Sequence, residues 1–167
     1  AVAIASGGEI IVADPFQRYA GLEIAADTPG DADRAAVPHH LVGDLRLDET
    51  STVADYARRA HRIIDGIADA GGTAVVSGGS GLYVRAALAD MAFPPDPPDD
   101  VRAAVEDLVD TDIAAAIAEL AERVPAVAAR VDPVNPRRVA RALALARVGR
   151  EVPPSDGLWS GATRRPA

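Results

Sequence analysis

The order of elements along the chain predicts an α/β fold, in which helices flank a parallel sheet and a small helical subdomain follows. Two apolar segments, residues 8–14 and 73–77, have the length and composition of buried strands. Helices are predicted after each strand, at 51–72 and 80–91. Strands that alternate with helices usually pair in parallel, so these segments predict the sheet. The purely helical pattern beyond residue 99 predicts the subdomain.

The helix predicted at 51–72 carries recognisable signals at both ends. Ser51 or Thr52 can cap its first turn, and Asp55, three residues after Thr52, resembles the second half of a capping box. A Gly-Gly pair ends the helix. Its apolar face is formed by residues three and four positions apart, namely Val53, Tyr56, Ala60, Ile63, Ile64 and Ile67.

A proline-rich connector at 93–100 marks the boundary of the helical part. Three helices are predicted after it, at 99–109, 111–123 and 125–131, and a fourth at 136–148. The sequence thus predicts an α/β core, a helical insertion, a basic helix that returns to the core, and a tail that we expect to be disordered. These four parts are residues 1–92, 93–135, 136–150 and 151–167.

Composition narrows the classes of function. The net charge of -8 argues by itself against broad nucleic-acid binding. The chain has no Cys, which excludes disulfides and thiolate metal sites and fits the cytoplasm. All 17 basic residues are Arg, and residues 133–150 hold five of them with no acid. A solvated helix face and a contact to a phosphate backbone explain this stretch equally well. The five residues are Arg137, Arg138, Arg141, Arg147 and Arg150.

A glycine-rich loop, residues 78–81, separates the second strand from its helix. Glycines let the backbone approach a ligand closely, and the start of the next helix favours an anion, so the loop suits a phosphate. Ser80 would add a hydroxyl, and Arg85 or Arg102 a positive charge. A tight turn without a ligand explains the same residues, and the pattern does not decide between the two.

Asp14 ends the first strand, where ligands bind in parallel α/β sheets. Its carboxylate could accept a proton or bind Mg²⁺ through water. The local sequence slightly favours a structural role instead, because Asp-Pro pairs often start turns. His39 and His40 follow Pro38 in a predicted loop, and adjacent side chains point in different directions, so we do not expect a zinc site there.

Four segments together resemble the tRNA dimethylallyltransferase family: GGEIIVADPFQRYAGLEI (7–24), VPHHLVGDL (37–45), VVSGGSGLYVRAAL (75–88) and VDPVNPRRVARALAL (131–145). They occur in the family's order at similar intervals. The resemblance implies a P-loop-kinase-like core and Mg²⁺ as cofactor. It also implies transfer of a dimethylallyl group from dimethylallyl diphosphate to N6 of an adenosine beside the tRNA anticodon.

The resemblance also implies roles for individual residues. Asp14 matches the family's candidate general base, and Ser80 replaces a Thr whose hydroxyl acts at the transfer site. Gly78 and Gly79, with Ser80 and Arg85, would bind the diphosphate, and Asp14 would bind the metal weakly, through water. Substrate tRNA would contact Asp14, Pro15, Phe16, Gln17, Arg102, Arg137, Arg138 and Arg141. A flipped-out adenosine fits this scheme, because N6 cannot react inside a base stack.

Departures from the family lead to two further expectations. The family's P-loop, a glycine-rich turn ending in Gly-Lys-Ser/Thr, has no counterpart here, and the chain contains no Lys. We therefore expect a fragment with a truncated core that does not transfer the prenyl group when isolated. We also expect the protein to be a monomer. A non-catalytic remnant that binds RNA or a nucleotide, an adenylate isopentenyltransferase and a P-loop nucleotide kinase remain as alternatives.

Overall fold

Three short strands form a parallel sheet in the first part of the chain. The computed structural model describes residues 2–91, 93–150 and 162–165. Strand β1 (Glu9–Val12) lies in the middle, between β2 (His39–His40) and β3 (Ala74–Ser77). Ile11 is in register with His40, and Val12 is in register with Ser77. The carboxyl ends of β1 and β3 therefore lie side by side.

Four helices accompany the sheet: α1 (Val2–Ser6), α2 (Asp31–Ala36), α3 (Val53–Asp69) and α4 (Gly81–Leu88). Helices α3 and α4 pack against each other, and α3 also contacts β1 and β3. Their buried residues include Tyr56, Ala60 and Ala86, none of which is exposed. Small alanines at these positions let the helices approach closely, which fits a chain with few aromatic residues.

Helix α3 begins as the sequence predicts, with a capping box. The Thr52 hydroxyl accepts a hydrogen bond from the Asp55 N–H at 3.2 Å, and the Asp55 carboxylate accepts one from the Thr52 N–H at 3.2 Å. These bonds satisfy amide groups that have no partner within the helix. The Thr52 hydroxyl also donates to the Asp55 carboxylate and is the main reason that the pKa of Asp55 is lowered.

Two elements differ from the sequence predictions. Helix α2 was not among the predicted elements, and it has no side-chain cap that the sequence could have signalled. His39 and His40, expected in a loop, form β2. This two-residue strand exists because β1 offers it a parallel edge, which is a long-range cause that local sequence does not contain.

All described elements of the second compact unit are helices. It contains α5 (Asp99–Thr111), α6 (Ile113–Arg123), α7 (Pro125–Ala128) and α8 (Pro136–Arg147), and its described residues are 93–150. Helix α8, predicted from the sequence as a helix returning to the α/β core, supplies half of the buried apolar core residues of this unit. That core includes Val105, Val109, Ala116, Leu120, Val127, Val139, Ala142, Leu143, Ala144 and Ala146.

The tail expected to be disordered, 151–167, lies outside the described residues except for 162–165. These four residues belong to the first unit. Arg164 forms ion pairs with Asp65 and Asp90, and Arg165 pairs with Asp65 and Asp69. None of the helices in the described part of the chain combines the length and the apolarity that a membrane-spanning helix needs.

Candidate functional site

Asp14 and the glycine loop lie at the same edge of the sheet. The Ala13 N–H donates to the Ser77 carbonyl at 2.7 Å, and the Ser80 N–H donates to the Ala13 carbonyl at 3.4 Å. The backbone just after β1 is thus hydrogen-bonded to the backbone on either side of the loop. We call this region, residues 13–17 and 77–80, the rim. Ligands of parallel α/β sheets bind at such an edge.

The first two glycines of the loop are required by close approaches. A β-carbon at Gly78 would lie 2.2 Å from the Ala13 carbonyl oxygen, a distance that no side chain can occupy. A β-carbon at Gly79 would lie 3.1 Å from Oδ2 of Asp14. Gly78 therefore has a structural role, whereas Gly79 keeps open the space beside the Asp14 carboxylate.

Asp14 combines a structural role with a partly open carboxylate. Its Oδ1 accepts hydrogen bonds from the N–H groups of Phe16 at 2.8 Å and Gln17 at 3.3 Å, so it closes the turn that its Asp-Pro sequence indicates. These bonds use Oδ1, and Oδ2 faces Gly79. The residue is partly buried, and its second oxygen takes no part in the turn.

Ser80 occupies the N-cap position of α4 but does not cap it. Its side chain makes no capping hydrogen bond, in contrast to Thr52 at the start of α3 and Asn135 at the start of α8. A hydroxyl that the helix does not use is available to a ligand. Arg85 is partly buried and lies in the last turn of α4, on the same helix as Ser80.

The residues after Asp14 divide into an exposed and an anchored group. Phe16 is 65% exposed, whereas Pro15 and Gln17 are partly buried. The Gln17 amide donates to the carbonyl oxygens of Ala26 and Asp27, each at 3.1 Å. The side chain of Gln17 thus holds a neighbouring loop, while Phe16 presents a free aromatic face at the rim.

A buried arginine, Arg18, adjoins this turn and was not among the site residues predicted from the sequence. Arg18 is 1% exposed, and its guanidinium donates to both carboxylate oxygens of Asp44, at 3.0 and 2.7 Å. It also donates to the Ser51 hydroxyl at 2.6 Å and lies 5.8 Å from the centre of the Tyr56 ring. Arg18 and Asp44 are 26 positions apart in the sequence. No local pattern links two residues at this separation, so a single sequence does not reveal the pair.

Two tyrosines stack beside this arginine. The ring centroids of Tyr56 and Tyr83 are 4.6 Å apart, and the rings are tilted by 44°. Burial is the main cause that raises the pKa of both phenols, so both are neutral hydroxyls at neutral pH. Tyr83 lies on the first turn of α4, three residues after Ser80. The charge of Asp14 also contributes to the raised pKa of Tyr83, so this phenol interacts electrostatically with the rim.

A cavity of about 680 Å³ opens on the sheet face next to the rim. Apolar residues including Ile10, Val12 and Val75 line one part of it, and Gln17, Ser77 and Gly78 line another. Thr28 also lines it, and the Thr28 hydroxyl oxygen is buried without a partner among the described residues. An apolar wall with a few polar groups is typical of a small-molecule site.

The rim offers few ligands for Mg²⁺. Within the described ranges, no group of three or more His, Cys, Asp or Glu side chains could hold a metal ion. His39 contacts the Val37 carbonyl through Nδ1, and His40 contacts the Glu9 carboxylate through Nε2. Mg²⁺ is commonly bound by one or two carboxylates together with substrate phosphates, and Asp14 can supply one carboxylate oxygen.

The arginines predicted to contact tRNA lie in the second unit. Arg102, Arg137 and Arg141 line one cavity of about 540 Å³, whose floor includes Val109 and Ala140. Arg102 pairs with Asp99 at 2.8 Å, and Arg141 with Asp96 at 3.3 Å. The stretch has no acid of its own, but the fold brings acids to it from elsewhere.

Arg137 and Arg138 remain unpaired. Both are exposed, and neither side chain has an ion pair or hydrogen bond with the residues that the structure describes. They follow Asn135, which caps the 12-residue helix α8 with a 3.2 Å hydrogen bond from the Arg138 N–H. Two free cations at the start of a helix favour an anion such as a phosphate.

A parallel sheet with a carboxylate and a glycine loop at adjacent strand ends defines an α/β protein, a class in which ligands bind at this edge of the sheet. The comparison with family models then identifies the group. Residues 17–159 match the IPP transferase family, and the chain belongs to this family. Its predicted fold class is confirmed, because the solved structures that it matches are transferases with the same α/β arrangement.

Curated relatives carry the same assignment. The chain is 43% identical over 143 residues to a tRNA dimethylallyltransferase of Frankia casuarinae, which covers 85% of this chain and 49% of that protein. It is 42% identical over 136 residues to one of Bifidobacterium longum, covering 81% and 41%. The chain therefore spans about half the length, or less, of these relatives.

Solved structures give a consistent picture. A full-length tRNA isopentenylpyrophosphate transferase of Bacillus halodurans is 31% identical, with a TM-score of 0.54, over 87% of this chain and 49% of that one. A eukaryotic dimethylallyltransferase acting on tRNA has a TM-score of 0.71 over 86% of this chain and 36% of that one. At 21% identity the second likeness supports the fold alone.

Proposed function

We propose that this chain carries the adenosine-binding and proton-accepting part of a tRNA dimethylallyltransferase. The single observation that supports it best is the rim, where the Asp14 carboxylate, the open space at Gly79 and the unused Ser80 hydroxyl lie together. The names of the relatives support transfer of a dimethylallyl group to tRNA. The proposed substrates are dimethylallyl diphosphate and the adenosine beside the anticodon. The roles of the individual residues are part of the proposal.

In the proposed reaction, adenosine N6 attacks C1 of the dimethylallyl group. The N6–C1 bond forms as the bond from C1 to the diphosphate oxygen breaks, and diphosphate leaves with the bonding electron pair. Oδ2 of Asp14 accepts the proton that N6 loses, because Oδ1 is occupied by the turn. The reacting base must be unstacked to reach this oxygen.

The diphosphate is proposed to lie against the glycine loop. Gly78 and Gly79 allow close approach of the backbone, the Ser80 hydroxyl donates a hydrogen bond, and Arg85 adds positive charge. Mg²⁺ is the proposed cofactor, held by the substrate's phosphates and through water by Asp14. It would neutralise negative charge on the departing diphosphate.

The RNA is proposed to contact both units. Asp14, the proposed proton acceptor, is followed at the rim by Pro15, Phe16 and Gln17. The exposed Phe16 ring can stack on a nucleobase of the RNA. Phosphates are proposed to contact the arginines of the second unit, which are Arg102, Arg137, Arg138 and Arg141. We further propose that the protein acts as a cytoplasmic monomer.

A second candidate function is RNA binding without catalysis. It is favoured by the composition of the chain, which contains 17 Arg and no Lys, so no residue here can act as a P-loop lysine. A related adenylate isopentenyltransferase would instead accept a free nucleotide. The three hypotheses differ in the acceptor that the chain binds and in whether it is modified.

One experiment separates these functions. The chain is incubated with dimethylallyl diphosphate, Mg²⁺ and an anticodon stem-loop RNA, or with AMP in place of RNA; products are analysed by mass spectrometry and binding by fluorescence anisotropy. Prenylated RNA supports the transferase outright. RNA binding without product also supports it where the RNA with adenosine is preferred over the same RNA with purine ribonucleoside, and supports the non-catalytic function where this preference is missing. Prenylated AMP supports the adenylate enzyme. Absence of both binding and product overturns the RNA proposal.

A further inference from the structure

Arg18 makes an unusually complete set of contacts for a cation. Within the described ranges it is the one charged side chain that is almost fully buried, at 1% exposure. Asp44, Ser51 and the Tyr56 ring surround its guanidinium. Asp44 is shared, because Arg59 donates to the same carboxylate from the outside at 2.9 Å and is 45% exposed. Burying a guanidinium is costly unless each contact is made, so the site is specific for this side chain.

The backbone on either side of Arg18 is tied to the same loop. The Gly43 N–H donates to the Gln17 carbonyl, and the Leu45 N–H donates to the Arg18 carbonyl, both at 2.9 Å. Ala20 donates back to the Leu45 carbonyl at 2.9 Å. The Arg18–Asp44 pair therefore closes a seam between residues 17–20 and 43–45, directly after the Asp14 turn.

Strained backbone lies in both segments that this turn holds. Asp27 and Leu41 are the two non-glycine residues of the described chain with positive φ, at 50° and 60°. The Asp27 carbonyl accepts a hydrogen bond from Gln17, and Leu41 lies two residues before Gly43, where the seam begins. Such conformations persist where surrounding contacts impose them, and they cluster at functional sites.

We propose that Arg18 is a positioning residue for the rim. Its buried contacts fix the 17–20 segment against the 43–51 loop, and this seam holds the Asp14 carboxylate and the Gln17 side chain in place. The inference rests on the proposed function, because it assigns Arg18 to the adenosine-binding part of the same site. Arg18 itself does not contact the substrate.

The test compares two variants with a matched control. Arg18→Met keeps the length and apolar stem of the side chain, and Asp44 retains Arg59 as a partner, so the fold is expected to persist. Arg18→Lys keeps the positive charge but lacks the guanidinium group, which donates to both carboxylate oxygens of Asp44. Arg59→Met is the control, because it removes a cation from the same Asp44 but leaves the seam intact.

Two quantities are measured on the purified chain. The first is the affinity ratio between an anticodon stem-loop RNA with adenosine next to the anticodon and the same RNA with purine ribonucleoside, which lacks the N6 amino group. We expect Arg18→Met to reduce this ratio about tenfold and Arg59→Met to leave it unchanged. Arg18→Lys is expected to fall between them. Loss of stability alone would weaken both RNAs equally.

The second quantity is amide hydrogen exchange at Ala20, Gly43 and Leu45. We expect about tenfold faster exchange at these amides in Arg18→Met than in Arg59→Met, relative to the rest of the first unit. Unchanged exchange, or equal effects of the two variants, overturns the inference. If the wild-type chain does not distinguish the two RNAs, the proposed contact between Asp14 and adenosine N6 is wrong. The hydrogen-exchange experiment then still decides whether Arg18 holds the seam.

Discussion

Gly78 and Ala13 approach so closely that a β-carbon at Gly78 would lie 2.2 Å from the Ala13 carbonyl oxygen. The contact joins the ends of β1 and β3, since Ala13 also pairs with Ser77 and Ser80. Neither partner can move without breaking these bonds. The glycine at this position is therefore a condition for bringing Asp14 and Ser80 to the same rim.

Gly78→Ala is expected to destabilise the first unit by about 2–4 kcal/mol, because the added methyl group overlaps backbone atoms that cannot shift. Urea denaturation measures the change. Gly66→Ala is the control, since Gly66 is an exposed position of α3 with nothing within 4 Å of its β-carbon. That substitution should stabilise the protein by about 0.5–1 kcal/mol. Equal effects at the two positions would contradict the role of close approach.

Elements with local causes could be predicted from the sequence. The capping box fixes the start of α3, and apolar segments bounded by turn residues fix β1 and β3. The placement of Asp14 and the glycine loop at one rim follows from parallel pairing of these two strands. The elements themselves depend on residues within a few positions of one another, so a single sequence contains them. Their placement at one rim follows from the general rule that the carboxyl ends of parallel strands lie at the same edge.

Features with long-range causes could not be predicted. An arginine is usually a surface residue, and the burial of Arg18 depends on Asp44, 26 positions away. Arg141 and Arg147 lie in a stretch without acids, yet they pair with Asp96 and Glu119. The fold supplies these acids, and Arg150 donates to the carbonyl oxygens of Pro95 and Asp96. Among the described residues of the stretch, Arg137 and Arg138 are the two arginine side chains without a polar partner.

Gly79→Ala is expected to affect the site more than the fold. Its β-carbon would press on Oδ2 of Asp14 at 3.1 Å, and this end of a side chain can rotate away. We expect a stability change below about 1 kcal/mol and a several-fold weaker binding of the adenosine-containing RNA. Denaturation and fluorescence anisotropy measure the two effects. A large loss of stability with unchanged binding would show that the space beside Asp14 has no functional role.

Asp14→Asn tests the proposed proton acceptor. The turn requires an oxygen at the Oδ1 position to accept the N–H groups of Phe16 and Gln17, so the amide nitrogen must take the place of Oδ2. A donor would then face the N6 amino group, which is itself a donor. We expect the preference for adenosine over purine ribonucleoside to fall about tenfold, with little change in stability. Retained preference would exclude Oδ2 as the group that meets N6.

Glu119 makes the free energy of unfolding of the second unit depend on pH in the acidic range. Hydrogen bonds from Arg147, and then from Arg123, lower the pKa of Glu119 from its ordinary 4.5 to about 2. Its folded pKa is below the unfolded one, so its contribution is complete above about pH 4.5 and is lost as the pH falls toward 2. We expect Glu119→Gln to cost about 1–2 kcal/mol at pH 7 and to make unfolding less dependent on pH between 5 and 2.

Thermal denaturation at several pH values measures this effect. Asp48→Asn is the control, because Asp48 is 72% exposed and pairs with Arg46, which is 75% exposed. Such a pair contributes little to stability at any pH. If Glu119→Gln and Asp48→Asn have the same pH profile, the carboxylate of Glu119 does not stabilise the fold through its two arginines.

The free charges of Arg137 and Arg138 predict a specific change in RNA binding. Because the protein carries a net charge of -8, RNA must bind through a local cationic feature, and the other arginines lining the cavity of the second unit are partly neutralised by Asp96 and Asp99. A cation that contacts a phosphate releases counterions, and each such contact adds about 0.7 to the slope of log affinity against log salt for a single strand.

The double variant Arg137→Gln and Arg138→Gln is therefore expected to weaken RNA binding uniformly across sequences. Its salt slope should decrease by roughly 1–1.5, the sum of two phosphate contacts, and the affinity ratio between adenosine and purine ribonucleoside should not change. Anisotropy titrations at several salt concentrations measure both quantities. Arg46→Gln with Arg62→Gln removes the same charge from exposed positions of the first unit, so it separates a direct contact from a general change in net charge. An equal decrease in slope for the two double variants would show that Arg137 and Arg138 act through overall charge and contact no phosphate.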